Sequence, residues 1–275
     1  MKSSVLPNIT EPENFKEFIK YRKGELRESL LKIQKKIPYY YRHYDAHNTN
    51  VHQIQPNKLS TGEREKIIYA YESYTSKAII SYRDILFEHI LICPYCGLNE
   101  TEHLDHYLPK SEFSEYSLFT TNLIPCCSKC NSKYKKTGYV EDGTRVYLHP
   151  YIDKINDHEI LKANIRWTNN AIILNYGINQ RCGISQDLVD VMKKHFKHLK
   201  LGNRYLKYAT KYITDMKPIF TDAYGVSADS ESLEASIASK YNDALAEYGQ
   251  NHWKTAILKS LRNNENFCNG GLLNI

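Results

Sequence analysis

Apolar positions recur at helical spacing through the first ninety residues. Across residues 15–37 they fall at Phe18, Ile19, Leu26, Leu30, Leu31, Ile33 and Ile37, close to the steps of an amphipathic helix. The run Ile37-Pro38-Tyr39-Tyr40-Tyr41 is expected to end that helix, because proline cannot continue a helix interior. Residues 45–60 are polar and irregular, with Asn48, Asn50 and Pro56, and read as a loop. Ser60 followed three residues later by Glu63 is a helix-start pattern. The helix it opens is expected to reach about residue 91. Its buried stripe would be Ile67, Ile68, Tyr71, Tyr74, Ala78, Ile79, Tyr82, Ile85 and Leu86.

The pattern changes over residues 91–150, where cysteines, short apolar runs and turn residues replace the long period. Beyond it, residues 165–167 and 171–176 flank Thr168-Asn169-Asn170 and read as a hairpin. Helical spacing then returns over 186–199, 204–216 and 231–261, with breaks at Gly202, Pro218 and Gly225. The expected fold class is α+β: a mainly helical chain in three regions, 1–90, 91–150 and 151–275, with the small strands at its centre.

Composition narrows the functional classes. The chain has 275 residues, 41% apolar and 25% charged, an ordinary globular balance with room for a core. Mean hydropathy is −0.57, and no apolar run approaches the ~18 residues of a membrane span. The first eight residues carry one positive charge and no apolar stretch, so the reading is cytoplasmic, with neither signal peptide nor membrane partner. The net charge of +6 is compatible with a polyanionic partner without identifying one. Residues 16–42 hold nine basic against three acidic side chains, and residues 193–217 hold eight against one. Solvated helix faces and phosphate-facing surfaces both fit those stretches. The Tyr39, Tyr40, Tyr41 and Tyr44 cluster likewise fits a base-stacking platform or helix packing.

Cysteine usage says more. Five of the seven cysteines lie between Cys93 and Cys130, which favours metal binding over a disulfide framework. Cys93-x-x-Cys96-Gly97 and Cys127-x-x-Cys130 are two knuckles, and two such pairs complete a tetrahedral Zn²⁺ shell. No position of that shell stays open, so the zinc would be structural. Cys126 is offset by one residue and reads as buried, although it could replace Cys127 as a ligand.

Between the knuckles runs His103-Leu104-Asp105-His106-Tyr107-Leu108-Pro109-Lys110. In a strand, His103 and Asp105 share one face and His106 takes the other. Aspartate is a hard ligand suited to Mg²⁺ or Mn²⁺. A histidine beside it, not bound to the ion, can deprotonate a water near neutral pH. Asn122-Leu123-Ile124-Pro125 follows, and Asn131 stands one residue past a knuckle cysteine.

Together these residues resemble the HNH endonuclease family, whose ββα-metal fold is often braced by four cysteines around zinc. The resemblance covers about 45 residues. It implies that Asp105 and Asn131 bind the catalytic Mg²⁺ or Mn²⁺, that His106 is the general base, and that Asn122 holds the loop orienting His106. Many members carry a lysine three residues after the last metal ligand. Here that position is Tyr134, flanked by Lys133 and Lys135, and either lysine could contact phosphate, as could Lys110. A supporting metal role for His103 stays open. The motif wording is also similar to HNH nucleases of bacterial anti-phage systems, Septu-type and retron-associated, which work beside an ATPase subunit. The resulting expectation is a metal-dependent nuclease acting on DNA, with RNA left open, as an effector of a bacterial anti-phage system held silent until a partner ATPase or bound nucleic acid releases it; a homo-oligomer is also left open. The alternative is a non-catalytic zinc module that binds nucleic acid or a protein.

Overall fold

The computed structural model describes residues 1–7, 13–56, 59–73, 77–168, 171–225 and 230–274. Residues Ser3–Lys154 form one compact unit; Ile155–Ile275, with Met1 and Lys2, form another. The fold class is α+β, mainly helical with small antiparallel sheets.

In the first unit the amphipathic run over 15–37 divides in two. Helix α1 is Glu13–Lys20 and α2 is Gly24–Gln34. Gly24 has φ +56°, a conformation that suits glycine and turns the chain between them. Pro38 does not end a helix but begins one. It sits in the first turn of α3, Ile37–His47, where proline removes no intrahelical bond. Ile37, Tyr41 and Tyr44 are the buried face of α3. Tyr41 stacks on Phe119 at 4.2 Å, and Tyr44 meets Phe119 and Tyr116 edge-on. These two tyrosines are therefore core, whereas Tyr39 is exposed.

Ser60 caps α4, Thr61–Glu72, with its hydroxyl accepting from Glu63 N while Glu63 reaches back to Ser60 N. The far end of α4 is capped by Arg22, whose guanidinium donates to the Ala70 and Ser73 carbonyls. The expected single helix to residue 91 is two, α4 and α5, Lys77–His89. Of the expected stripe, Ile67, Tyr71 and Leu86 are buried and Ile85 is exposed; the side chains of Tyr74, Ala78, Ile79 and Tyr82 lie outside the described residues. Strands β1, His103–His106, and β2, Leu123–Cys126, pair antiparallel with Asp105 opposite Ile124 and His106 opposite Leu123. A π-helix, Lys129–Lys135, follows β2. Two short strands, β3, Val140–Glu141, and β4, Thr144–Arg145, complete this unit's sheets.

The second unit opens with a hairpin of β5, Leu161–Thr168, and β6, Ala171–Ile178, longer than expected. The tip residues Asn169 and Asn170 lie outside the described residues. Helices α6, Gln186–His198, and α7, Leu201–Gly225, follow. Neither Gly202 nor Pro218 breaks α7, whereas Gly225 is its last residue; the single segment expected over 231–261 is broken at Gly249. Its φ of +78° separates α8, Ser230–Tyr248, from α9, Trp253–Arg262. The short α10, Glu265–Cys268, and a 3₁₀ turn, Gly271–Asn274, follow. The buried Asn251 amide ties the start of β5 by accepting from Ile160 N and Leu161 N and donating to the Ile155 and His158 carbonyls. Among the described residues no helix is long and apolar enough to cross a membrane.

Candidate active site

The four knuckle sulfurs converge. Cys93, Cys96, Cys127 and Cys130 are all buried, and their Sγ atoms lie within 4.8 Å of one another. Gly97, at φ +63°, lets the first knuckle close with its N–H on the Cys93 carbonyl at 2.7 Å. Burial pushes the Cys93 thiol well above its ordinary value, whereas hydrogen bonds from Cys130 and Cys93 bring Cys127 down to about 7. A soft divalent cation would draw off these protons, and the donor set fits Zn²⁺. Cys126 is outside the cluster. It is fully buried and its thiol is raised by burial, so Cys127 is the residue placed as a ligand.

Asp105 and His106 leave the β1–β2 ribbon on different sides, as strand alternation requires. Asp105 is 2% exposed and points inward. Its Oδ2 accepts from the Tyr95 hydroxyl at 2.7 Å and its Oδ1 from the Lys135 ammonium at 3.0 Å. Tyr95 belongs to the first knuckle and Lys135 follows the second, so both thiolate pairs have a side chain on this carboxylate. His106 is partly exposed. Its Nε2 lies 3.1 Å from the Ser117 carbonyl, and its ring meets Tyr71 of α4 edge-on at 4.7 Å. A carbonyl only accepts, so Nε2 carries the proton and Nδ1 is the acceptor of the neutral ring. Burial pushes the imidazole down to about 3 against the pull of the Ser117 carbonyl, with Lys110 and Lys135 adding to the fall.

Asn122 is fully buried and uses its whole amide. Oδ1 accepts from Leu108 N at 2.8 Å and from the Tyr44 hydroxyl at 3.2 Å; Nδ2 donates to the Leu108 and Tyr116 carbonyls. These bonds tie the end of β1 to the loop that supplies Ser117, and so set the loop against the His106 ring. Asn122→Ala should strand the buried Leu108 N–H and carbonyl and take one bond each from Tyr44 and Tyr116, at a cost of about 3 kcal/mol or more, read as a lower urea midpoint with an unchanged slope.

The remaining expected residues are placed as follows. Asn131 is half-buried in the π-helix, with its N–H on the Cys127 carbonyl; Asp105 takes its polar contacts from Tyr95 and Lys135 instead. His103 is exposed on β1. Lys133 is exposed beside Tyr134. Lys110 pairs with Glu72 at 2.7 Å, over the Tyr71 ring. Lys135 departs from the expected phosphate contact: its side chain is 0% exposed and faces protein. The cause is the π-helix. Lys136 N bonds Asn131 O, five residues back, at 2.7 Å. Each residue of a π-turn advances less than in an α-helix, so the fourth residue past Asn131 comes round to about where an α-helix would put the third.

Sequence reasoning missed Tyr95 and His149, and gave Tyr44 only as a stacking or packing residue, without its bond to Asn122. Tyr44 donates to Asn122 and also lies 3.1 Å from Nε2 of the buried His149, whose ring packs on Tyr107 at 4.4 Å. Burial, with Arg145 adding to it, pushes His149 down to about 3. Tyr44, Tyr107 and Tyr151 face the ring; Arg145 and Lys135 are the nearby cations. Below pH ~6.5 the unfolded chain takes a proton that the folded ring refuses, so stability falls as pH drops from 6.5 toward 3. Replacing His149 with Gln should flatten that dependence by up to about 1.4 kcal/mol per pH unit, measured by urea unfolding at pH 7 and 4.5. An unchanged pH dependence would show that His149 takes up a proton while folded.

Comparison with known proteins agrees with this geometry. Residues 93–137 match the model of the HNH endonuclease family. Over 237 residues the chain is 26% identical to Protein ea31 of Escherichia phage lambda, spanning 80% of this chain and 79% of that protein. No solved structure matches the chain.

Proposed function

We propose that this protein is a metal-dependent HNH-type endonuclease that hydrolyses phosphodiester bonds in DNA. The single observation that carries the reading is the pairing of His106 with the Ser117 carbonyl beside a buried carboxylate, inside the segment that matches the HNH family. Ser117 fixes the protonated nitrogen, leaving Nδ1 to take a proton from the attacking water. Tyr71 and Asn122 hold the ring and its loop, so the base is set before substrate arrives. Asp105, with Asn131, would hold Mg²⁺ or Mn²⁺, which when bound neutralises charge building on the phosphate and the leaving oxygen. The carboxylate has the right chemistry for a hard ion, although one of its oxygens already carries an ammonium. The four cysteines, holding Zn²⁺, would brace both elements. Lys133, exposed two residues past Asn131, would be the lysine to meet phosphate, since Lys110 pairs with Glu72 and Lys135 with Asp105.

The test is an end-labelled DNA duplex incubated with Mg²⁺. Cleavage to 5′-phosphate and 3′-hydroxyl ends supports the reading, and an intact duplex with every divalent ion tried contradicts it. The engaged Asp105–Lys135 pair favours a second reading, a zinc module that binds nucleic acid without cutting it. A retained duplex shift without cleavage is its expected result. An ATPase partner and an anti-phage role would follow from the motif resemblance.

A further inference from the structure

Lys135 is held by more than the ion pair. Its ammonium lies 3.0 Å from Asp105 Oδ1, 3.0 Å from the His106 carbonyl and 3.3 Å from the Tyr107 carbonyl, and within 6 Å of the Tyr107 and Tyr147 ring centres. Among these partners only Asp105 is charged. With the other oxygen of Asp105 on the Tyr95 hydroxyl, the buried carboxylate is neutralised by a tethered monovalent cation. A divalent ion at Asp105 needs that same negative charge and would meet a positive charge at hydrogen-bond distance from it.

Resting on the reading in which Asp105 takes a divalent ion, we propose that Lys135 and the ion are competing cations at this carboxylate. Lys135 holds Asp105 while no ion is bound, and entry of the ion releases the ammonium. The π-helix supplies a way to do this. Its closing bond runs from Lys136 N to Asn131 O, and Lys136 stands at φ +52°. Rewinding the turn to four-residue spacing rotates Lys135 away from β1 without unravelling the segment. Lys135 is thus a positioning residue that weakens ion binding in the resting protein.

The experiment is Mn²⁺ binding to the full zinc-loaded chain without nucleic acid, with free Mn²⁺ read by electron paramagnetic resonance. Lys135→Met keeps the stem and removes the charge. It should bind Mn²⁺ at least tenfold tighter than the parent, and Asp105→Asn added to it should erase that gain. Lys135→Gln, which keeps a donor for the carbonyls, should show the same gain if the methionine variant does not fold. Affinities equal within twofold in the parent and in the charge-removed variants overturn the proposal and leave Asp105 as a ligand. Mn²⁺ binding that ignores Asp105→Asn overturns both the proposal and the reading it rests on.

Discussion

His106→Ala should lower DNA cleavage by about a hundred- to ten-thousand-fold, the span that a positioned general base contributes. The loss should appear in kcat with KM little changed, because a general base acts in the chemical step and not in holding the substrate. The truncation removes one hydrogen bond and one ring contact, so it should cost about 1–2 kcal/mol of stability. The knuckle sulfurs are untouched, so zinc content should equal that of the parent. Cleavage kept within threefold would remove His106 from the chemistry, however good its geometry.

The second large effect belongs to the knuckles. Cys93→Ser or Cys130→Ser should release the zinc and unfold the segment that carries the site. Zinc in such a four-thiolate shell contributes on the order of ten kcal/mol. Beside the zinc the segment has a strand pairing of only four residues each and buried side chains such as Tyr95, Tyr107, Leu123 and Ile124. Both side chains on Asp105 also hang from the knuckles, Tyr95 within the first and Lys135 after the second. Loss of one cysteine should therefore disorder Asp105 along with the metal. Cys126→Ser is the matched control, a buried neighbour outside the cluster, and should keep its zinc. Metal content by atomic absorption and amide hydrogen exchange across residues 93–137 would read both outcomes. A zinc-free variant that still protects those amides would show that apolar packing suffices.

Much of the site was legible because its chemistry is local. Two cysteine knuckles, an Asp-His step and two asparagines at set spacings carry their geometry in the chain, and the cysteines do converge. The ribbon that bears Asp105 and His106 was legible from alternation. What escaped was set by tertiary contacts. Tyr44 reaches Asn122 across 78 residues and His149 lies a further stretch along, and no periodicity marks such partners. Tyr95 stands inside the first knuckle, yet a tyrosine between cysteines gives no sign of which carboxylate it meets. Lys135 went astray for a different reason. The choice between it and Lys133 turns on helical pitch, and an α-helical count gives the wrong azimuth for a π-turn. Helix boundaries failed where one residue decided them, as at Gly24, Pro38 and Gly249. Proline in a first turn and glycine beyond a last one are position-dependent signals, and the apolar pattern alone does not fix the position.

The most direct measurement is cutting of supercoiled plasmid by the full chain with Mg²⁺, with Mn²⁺ and with EDTA, beside His106→Ala. The account predicts nicked or linear product with either ion, none with EDTA, and none from the variant above background. Equal cutting by the parent and the variant, or no cutting by the zinc-loaded parent with either ion, would contradict it.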